Sequence, residues 1–152
     1  MKISVVAVGR LKEKYFADAQ AEYLKRISAY AEGRVQEVAP APPSKSPAEQ
    51  SAIETAALLS KAGGLVVALD KSGRNMTSEE LASFIASKCA GGVSEFSFLI
   101  GGSHGIEPSS LKKVDAVISF GKMTFPHQLF RVMLLEQLYR ALSINAGAPY
   151  HK

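Results

Sequence analysis

Residues 65–105 read "LVVALDKSGRNMTSEELASFIASKCAGGVSEFSFLIGGSHG". Leu65–Asp70 and Glu95–Ile100 are short runs rich in β-branched, aliphatic and aromatic residues, the composition of buried strands. Between them a glycine-containing loop leads into a predicted helix over Ser78–Ala90. A strand, a helix and a strand in that order argue for a parallel pair covered by the helix that joins them.

The pattern extends in both directions. Ile3–Gly9, "ISVVAVG", predicts a first buried strand closed by glycine. Phe16, Ala19, Tyr23, Ile27 and Tyr30 then recur at helical spacing, with Lys and Glu between them, so Lys12–Tyr30 reads as an amphipathic helix. Arg34–Val38 predicts a second strand. The prolines of Ala39–Pro47 exclude helix and central strand and predict a long loop. Ser46, Pro47 and Glu49 supply a cap, a first-turn proline and a first-turn acid for a helix that runs to Lys61 and stops at Gly63-Gly64. Beyond residue 105, a short helical piece near Ser109–Val114, a strand over Ala116–Phe120 and a helix opened by Pro126 complete the alternation. The prediction is an α/β fold, a mostly parallel sheet with helices on both faces, and at 152 residues a single domain spanning 1–152. Ligands of such sheets sit beyond the carboxyl ends of the strands, here Asp70–Arg74, Gly101–Gly105 and Gly121–Phe125.

Composition narrows the chemistry. One cysteine, Cys89, excludes an internal disulfide, and three scattered histidines leave no zinc-spaced cluster, so no metal is expected. No stretch has the uninterrupted apolar length of a membrane span or a signal peptide, which predicts a cytoplasmic protein without membrane contact. The formal net charge is +4, and +3 of it falls between Lys122 and Lys152, where Lys122, Arg131, Arg140 and Lys152 face only Glu136. That concentration suggests an anionic partner.

The glycine loop "IGGSHG" permits close backbone approach to a ligand, and reads equally as a tight connection. Its spacing fails the dinucleotide fingerprint, and "FGKM" places Met123 where a phosphate loop needs Ser or Thr. Asp70–Gly73 reads as a local turn and His104 as a turn residue. His127 stands at the start of the last helix, whose terminal amides favour anions. That helix is apolar on nearly all faces from Leu129 to Leu142, so it is buried on more than one side, by its own core or by a partner. Arg131 and Arg140 must then lie at a seam, and Glu136 alone cannot pair with both.

"LIGGSHGI", "SFGKMTFPHQLFRVMLLEQLYRA" and the terminal "PYHK" resemble the RlmH family of SPOUT-class methyltransferases, as do "MKISVVAVGRLKEKYF" and "VVALDKSG"; the resemblance spans the chain in register. It implies methylation of N3 of a pseudouridine in large-subunit ribosomal RNA, with the assembled ribosome as the expected substrate. It also implies a C-terminal trefoil knot, a homodimer and S-adenosylmethionine (SAM) as cofactor. By matched position, the cofactor residues are Leu69, Gly101, Phe120, Gly121, Lys122, Met123, Thr124 and Phe125. Arg131, Tyr150, His151 and Lys152 are expected on the RNA side, Tyr150 by stacking and the cations by phosphate contact. A general base for the N3 proton is useful, and His127, Glu136 and His151 are all candidates. Two other readings compete: a non-catalytic RNA-binding module that keeps the pocket, and a nucleotide-binding oxidoreductase domain.

Overall fold

The computed structural model describes all of residues 1–152. In chain order the elements are β1 (Lys2–Val8), α1 (Lys14–Ile27), β2 (Glu32–Val38), α2 (Pro47–Lys61), β3 (Leu65–Asn75), α3 (Ser78–Ala90), β4 (Glu95–Ile100), α4 (Pro108–Leu111), β5 (Ala116–Ser119) and α5 (His127–Asn145). The strands form one sheet in the order β2-β1-β4-β3-β5, and every neighbouring pair is parallel. All carboxyl ends therefore meet at one edge.

Burial follows the two-residue period of the strands. Ile3, Val5 and Ala7 of β1 join Phe96 and Phe98 of β4 in the larger core, closed by Ile27 of α1, Leu81 and Ile85 of α3, and Leu134, Leu135 and Leu138 of α5. Val6, Ala68 and Leu99 point the other way and pack with Leu58 of α2 and Ile106. α5 lies against both α1 and α3, which accounts within one chain for much of its apolar surface.

Local chemistry explains the ends of the helices. The Ser46 hydroxyl accepts the Glu49 N–H at 3.2 Å, and Pro47 occupies the first turn of α2. α3 begins with a capping box unread in the sequence, Thr77 and Glu80 each accepting the other's backbone N–H. α1 has no cap of its own, but the Gln128 side chain of α5 accepts the Lys12 N–H at 2.8 Å just ahead of it. α4 is shorter than Ser109–Val114 and starts a residue earlier because Pro108 fits its first turn.

β3 departs from the sequence reading. Its register slips between Leu69 and Arg74, both of which align with Ile118, so Asp70–Gly73 forms a bulge and pairing with β5 resumes to Asn75. The predicted turn bond is present inside it, since the Asp70 carboxylate accepts the Ser72 N–H at 2.9 Å. A Cβ at Gly73 would lie 2.7 Å from the β5 backbone, so glycine lets the strands close up again. No helix is long and apolar enough to cross a membrane.

Candidate functional site

Two cavities open side by side at the carboxyl edge of the sheet. The smaller, about 460 Å³, is bounded by Leu69–Lys71 from the start of the β3 bulge, by Ile100–Ile106 after β4, and by Phe120–Gly121, Met123–Phe125, His127 and Phe130 after β5. Its volume lies in the range of small-molecule sites. The three loops named from the strand pattern thus meet on one space, and seven of the eight expected cofactor residues line it. Lys122 is exposed and does not line it.

The glycine loop makes a backbone wall. Gly105 N–H donates to Gly102 O at 3.0 Å, and Gly105 adopts φ +73°. A Cβ at Gly101 would stand 2.7 Å from the Gly105 carbonyl carbon and 2.9 Å from the Ile106 nitrogen, so the turn closes only without a side chain there. Apolar faces come from Leu69, Ile100 and an aromatic group in which Phe130 packs on Phe120 at 4.9 Å and Phe125 at 6.3 Å. Polar groups are few: Asp70, Lys71, Ser103, His104, Thr124 and His127. Asp70 and Lys71 belong to the strand-end stretch named from the sequence, though they read there only as a turn, and Phe130 reads only as part of the apolar last helix. The composition suits a ligand with a flat ring and a short polar arm, held by backbone amides. No group of three or more His, Cys, Asp or Glu side chains is placed to hold a metal ion.

The second cavity, about 690 Å³, shares Phe120 and Gly121 with the first and is otherwise lined from Tyr23, Asn75–Ser78, Leu81, Ile118–Ser119 and the Val132–Gln137 stretch of α5. Glu136 is its acidic group and is heavily engaged. Its Oε1 accepts Arg140 Nε at 2.9 Å and the Tyr150 hydroxyl at 3.0 Å, while Oε2 accepts Gln137 Nε2 at 2.8 Å. The Tyr150 ring packs edge-on against Tyr139 at 4.6 Å and under the Arg140 guanidinium at 4.7 Å. Burial, reinforced by the Glu136 carboxylate, pushes the Tyr150 phenol up to about 12. His151 reaches Arg140 with Nδ1 at 3.1 Å and Glu79 of α3 with Nε2 at 2.8 Å, and that bond lowers the Glu79 carboxyl below its ordinary value. The Tyr150–His151 segment therefore docks on α5 and α3. Lys152 is exposed beyond it.

Arg131 is a correction. It is 3% exposed, donating Nη1 to Glu37 Oε2 at 2.6 Å and Nη2 to Gly9 O at 3.0 Å. Its partner lies 94 positions away on β2, out of reach of any argument from neighbouring sequence, and its charge is satisfied inside the chain rather than offered to an external anion. The three candidate bases are also separated: His127 lines the smaller cavity, Glu136 the larger, and His151 binds Glu79 and Arg140.

A parallel sheet in which the β3 bulge and the loops after β4 and β5 enclose one cavity fits the family model described as "Predicted SPOUT methyltransferase", which matches residues 1–151. The chain belongs to the SPOUT methyltransferase family, and a methyl donor is thereby implied. Among its relatives are proteins named "Ribosomal RNA large subunit methyltransferase H" from Carboxydothermus hydrogenoformans, Bifidobacterium adolescentis and Lacticaseibacillus casei, at 48%, 45% and 43% identity, each alignment covering the whole of both chains. Family membership sets the oxidoreductase reading aside.

Proposed function

We propose that the chain methylates N3 of a pseudouridine in large-subunit ribosomal RNA, with SAM in the smaller cavity and the assembled ribosome as substrate. The observation that carries this is the meeting of Leu69, the Gly101–Gly105 loop, Phe120–Gly121 and Met123–Phe125 on one cavity that adjoins a second. Full-length identity to three large-subunit RNA methyltransferases supports the substrate class. In this reading one domain spans 1–152, and the segment after β5 carries the trefoil threading of the resemblance, returning from the outer strand to close over the 101–106 loop.

Bound there, SAM supplies an electrophilic methyl carried on a sulfonium. The chain's part is placement: the glycine loop offers backbone donors, the Phe120–Phe125–Phe130 group walls off water, and the two cavities meet beside Phe120–Gly121, where a nucleobase nitrogen would face the methyl in line while S-adenosylhomocysteine leaves. His127 is the best-placed base of the three candidates, since it lines the donor cavity and makes no hydrogen bond within the fold, whereas Glu136 and His151 are already bonded. It accepts the N3 proton at one ring nitrogen. Tyr150, His151 and Lys152 border the RNA-facing side, and Lys122 and Lys152 are its exposed cations. The chain pairs with a second copy through the face around Met123, 81% exposed, and Leu129, 37% exposed. The protein works in the cytoplasm, where ribosomes are.

Labelled SAM incubated with large-subunit RNA, isolated subunits and whole ribosomes tests the proposal. Transfer to RNA, greatest on ribosomes and lost in Thr124→Trp, is expected. A chain that binds SAM and ribosomes without transferring label is a binding module instead.

A further inference from the structure

We infer that α2 is the positioning element of the glycine loop, with Ser51, Glu54 and Thr55 as its positioning residues; this rests on the reading that the loop walls the SAM cavity. The three side chains stand at i, i+3 and i+4, one face of the helix, and are 5%, 4% and 1% exposed. Polar groups so deeply buried in a helix–sheet seam require partners. Those of Ser51 and Thr55 lie in or beside the glycine loop, and that of Glu54 lies in the loop after β2. Ser51 Oγ donates to Gly105 O at 3.0 Å, and the Glu107 N–H donates to Thr55 Oγ1 at 3.0 Å, so the far end of the loop is tied at two successive points.

Glu54 meets the loop at its near end, at Gly102. Its Oε2 accepts the Ala41 N–H at 2.9 Å, anchoring the proline-rich loop after β2, while Oε1 has no hydrogen-bond partner. A Cβ at residue 102 would come within 2.4 Å of that oxygen. The Glu54 side chain occupies the space that Gly102 leaves, behind the near end of the loop. None of the three residues lines the cavity, so none would touch a ligand held in it. They fix the height and tilt of a backbone wall, and a wall that binds through amides loses affinity when it moves by a fraction of an ångström.

The test uses the full chain and calorimetric titration with SAM, together with amide hydrogen exchange over residues 101–107. Thr55→Val keeps the volume and removes the acceptor, Thr55→Ser keeps the acceptor, and Thr124→Trp fills the cavity itself. The expected result is a SAM affinity weakened roughly tenfold in Thr55→Val at unchanged stoichiometry, faster exchange confined to the loop, and restoration of both by Thr55→Ser. A role confined to folding would instead lower the stoichiometry at unchanged affinity, and that result overturns the inference. If Thr124→Trp abolishes binding while Thr55→Val binds like the parent, the cavity is right and the positioning role wrong. If Thr124→Trp binds like the parent, the cavity assignment itself fails. Ser51→Ala, which removes one donor and leaves the helix intact, gives the same reading should Thr55→Val not fold.

Discussion

Glu37 and Arg131 show how far a single charge depends on a distant element. Arg131 is 3% exposed and bonded to Glu37 of β2 and the Gly9 carbonyl, with Nε unpartnered. Glu37→Ala strands that guanidinium, and the expected cost is about 1–3 kcal/mol in urea unfolding, moderated because the Glu37 side chain is 35% exposed and water can enter. Tyr150 gives a pH signature. Its phenol is pushed up to about 12, so the neutral form is favoured by the fold; the docked segment keeps its full contribution below pH about 10 and loses it as pH rises toward 12. Absorbance titration of tyrosinate should show a late-titrating component that disappears in Tyr150→Phe. For His127, His127→Ala should lower the single-turnover methylation rate at saturating SAM roughly 100-fold. An unchanged rate removes it as the base.

At the scale of elements, α5 couples the core to both cavities. Leu138, fully buried beneath α1 and α3, is expected to cost about 2–5 kcal/mol on change to alanine, read as a shift of the urea midpoint at constant slope. The elements themselves were legible in the sequence: α3 and β4 fall at Ser78–Ala90 and Glu95–Ile100 as predicted, because caps, glycines and apolar runs are local signals. The extension of β3 to Asn75 was not legible. A bulge is decided by what the neighbouring strand offers, and Asp70–Gly73 looks like a turn until β5 lies beside it. The same limit hid the Ser51–Glu54–Thr55 face. On an isolated helix these are unremarkable polar residues, and only the packed loop gives them partners. Gly101 was legible as a close-approach glycine, but the object approached includes Gly105 and Ile106 of its own loop. Gly101→Val therefore distorts the wall as well as filling the site, and Thr124→Trp is the cleaner block.

For the molecule as a whole, the charge excess of residues 122–152 shrinks once the fold is known. Arg131 and Arg140 are neutralised by Glu37 and Glu136, which leaves Lys122 and Lys152 to meet an anion. Residues 122–152 are therefore expected to contribute few phosphate contacts to RNA binding, so removing Lys122 or Lys152 should in each case flatten its salt dependence only by about one unit of slope. α5 is likewise less in need of a partner than its composition suggested, since α1 and α3 cover much of it. Sedimentation equilibrium should still show a dimer, held by the Met123–Leu129 face, and Leu129→Glu should shift it toward monomer without unfolding. The central claim, methyl transfer from the smaller cavity to large-subunit RNA, is tested most directly by labelled SAM on ribosomes, comparing the parent chain with Thr124→Trp. The account predicts label in large-subunit RNA at a single pseudouridine with the parent and none with the variant. Label that persists in Thr124→Trp, or a parent that binds SAM yet leaves the RNA unlabelled, would contradict it.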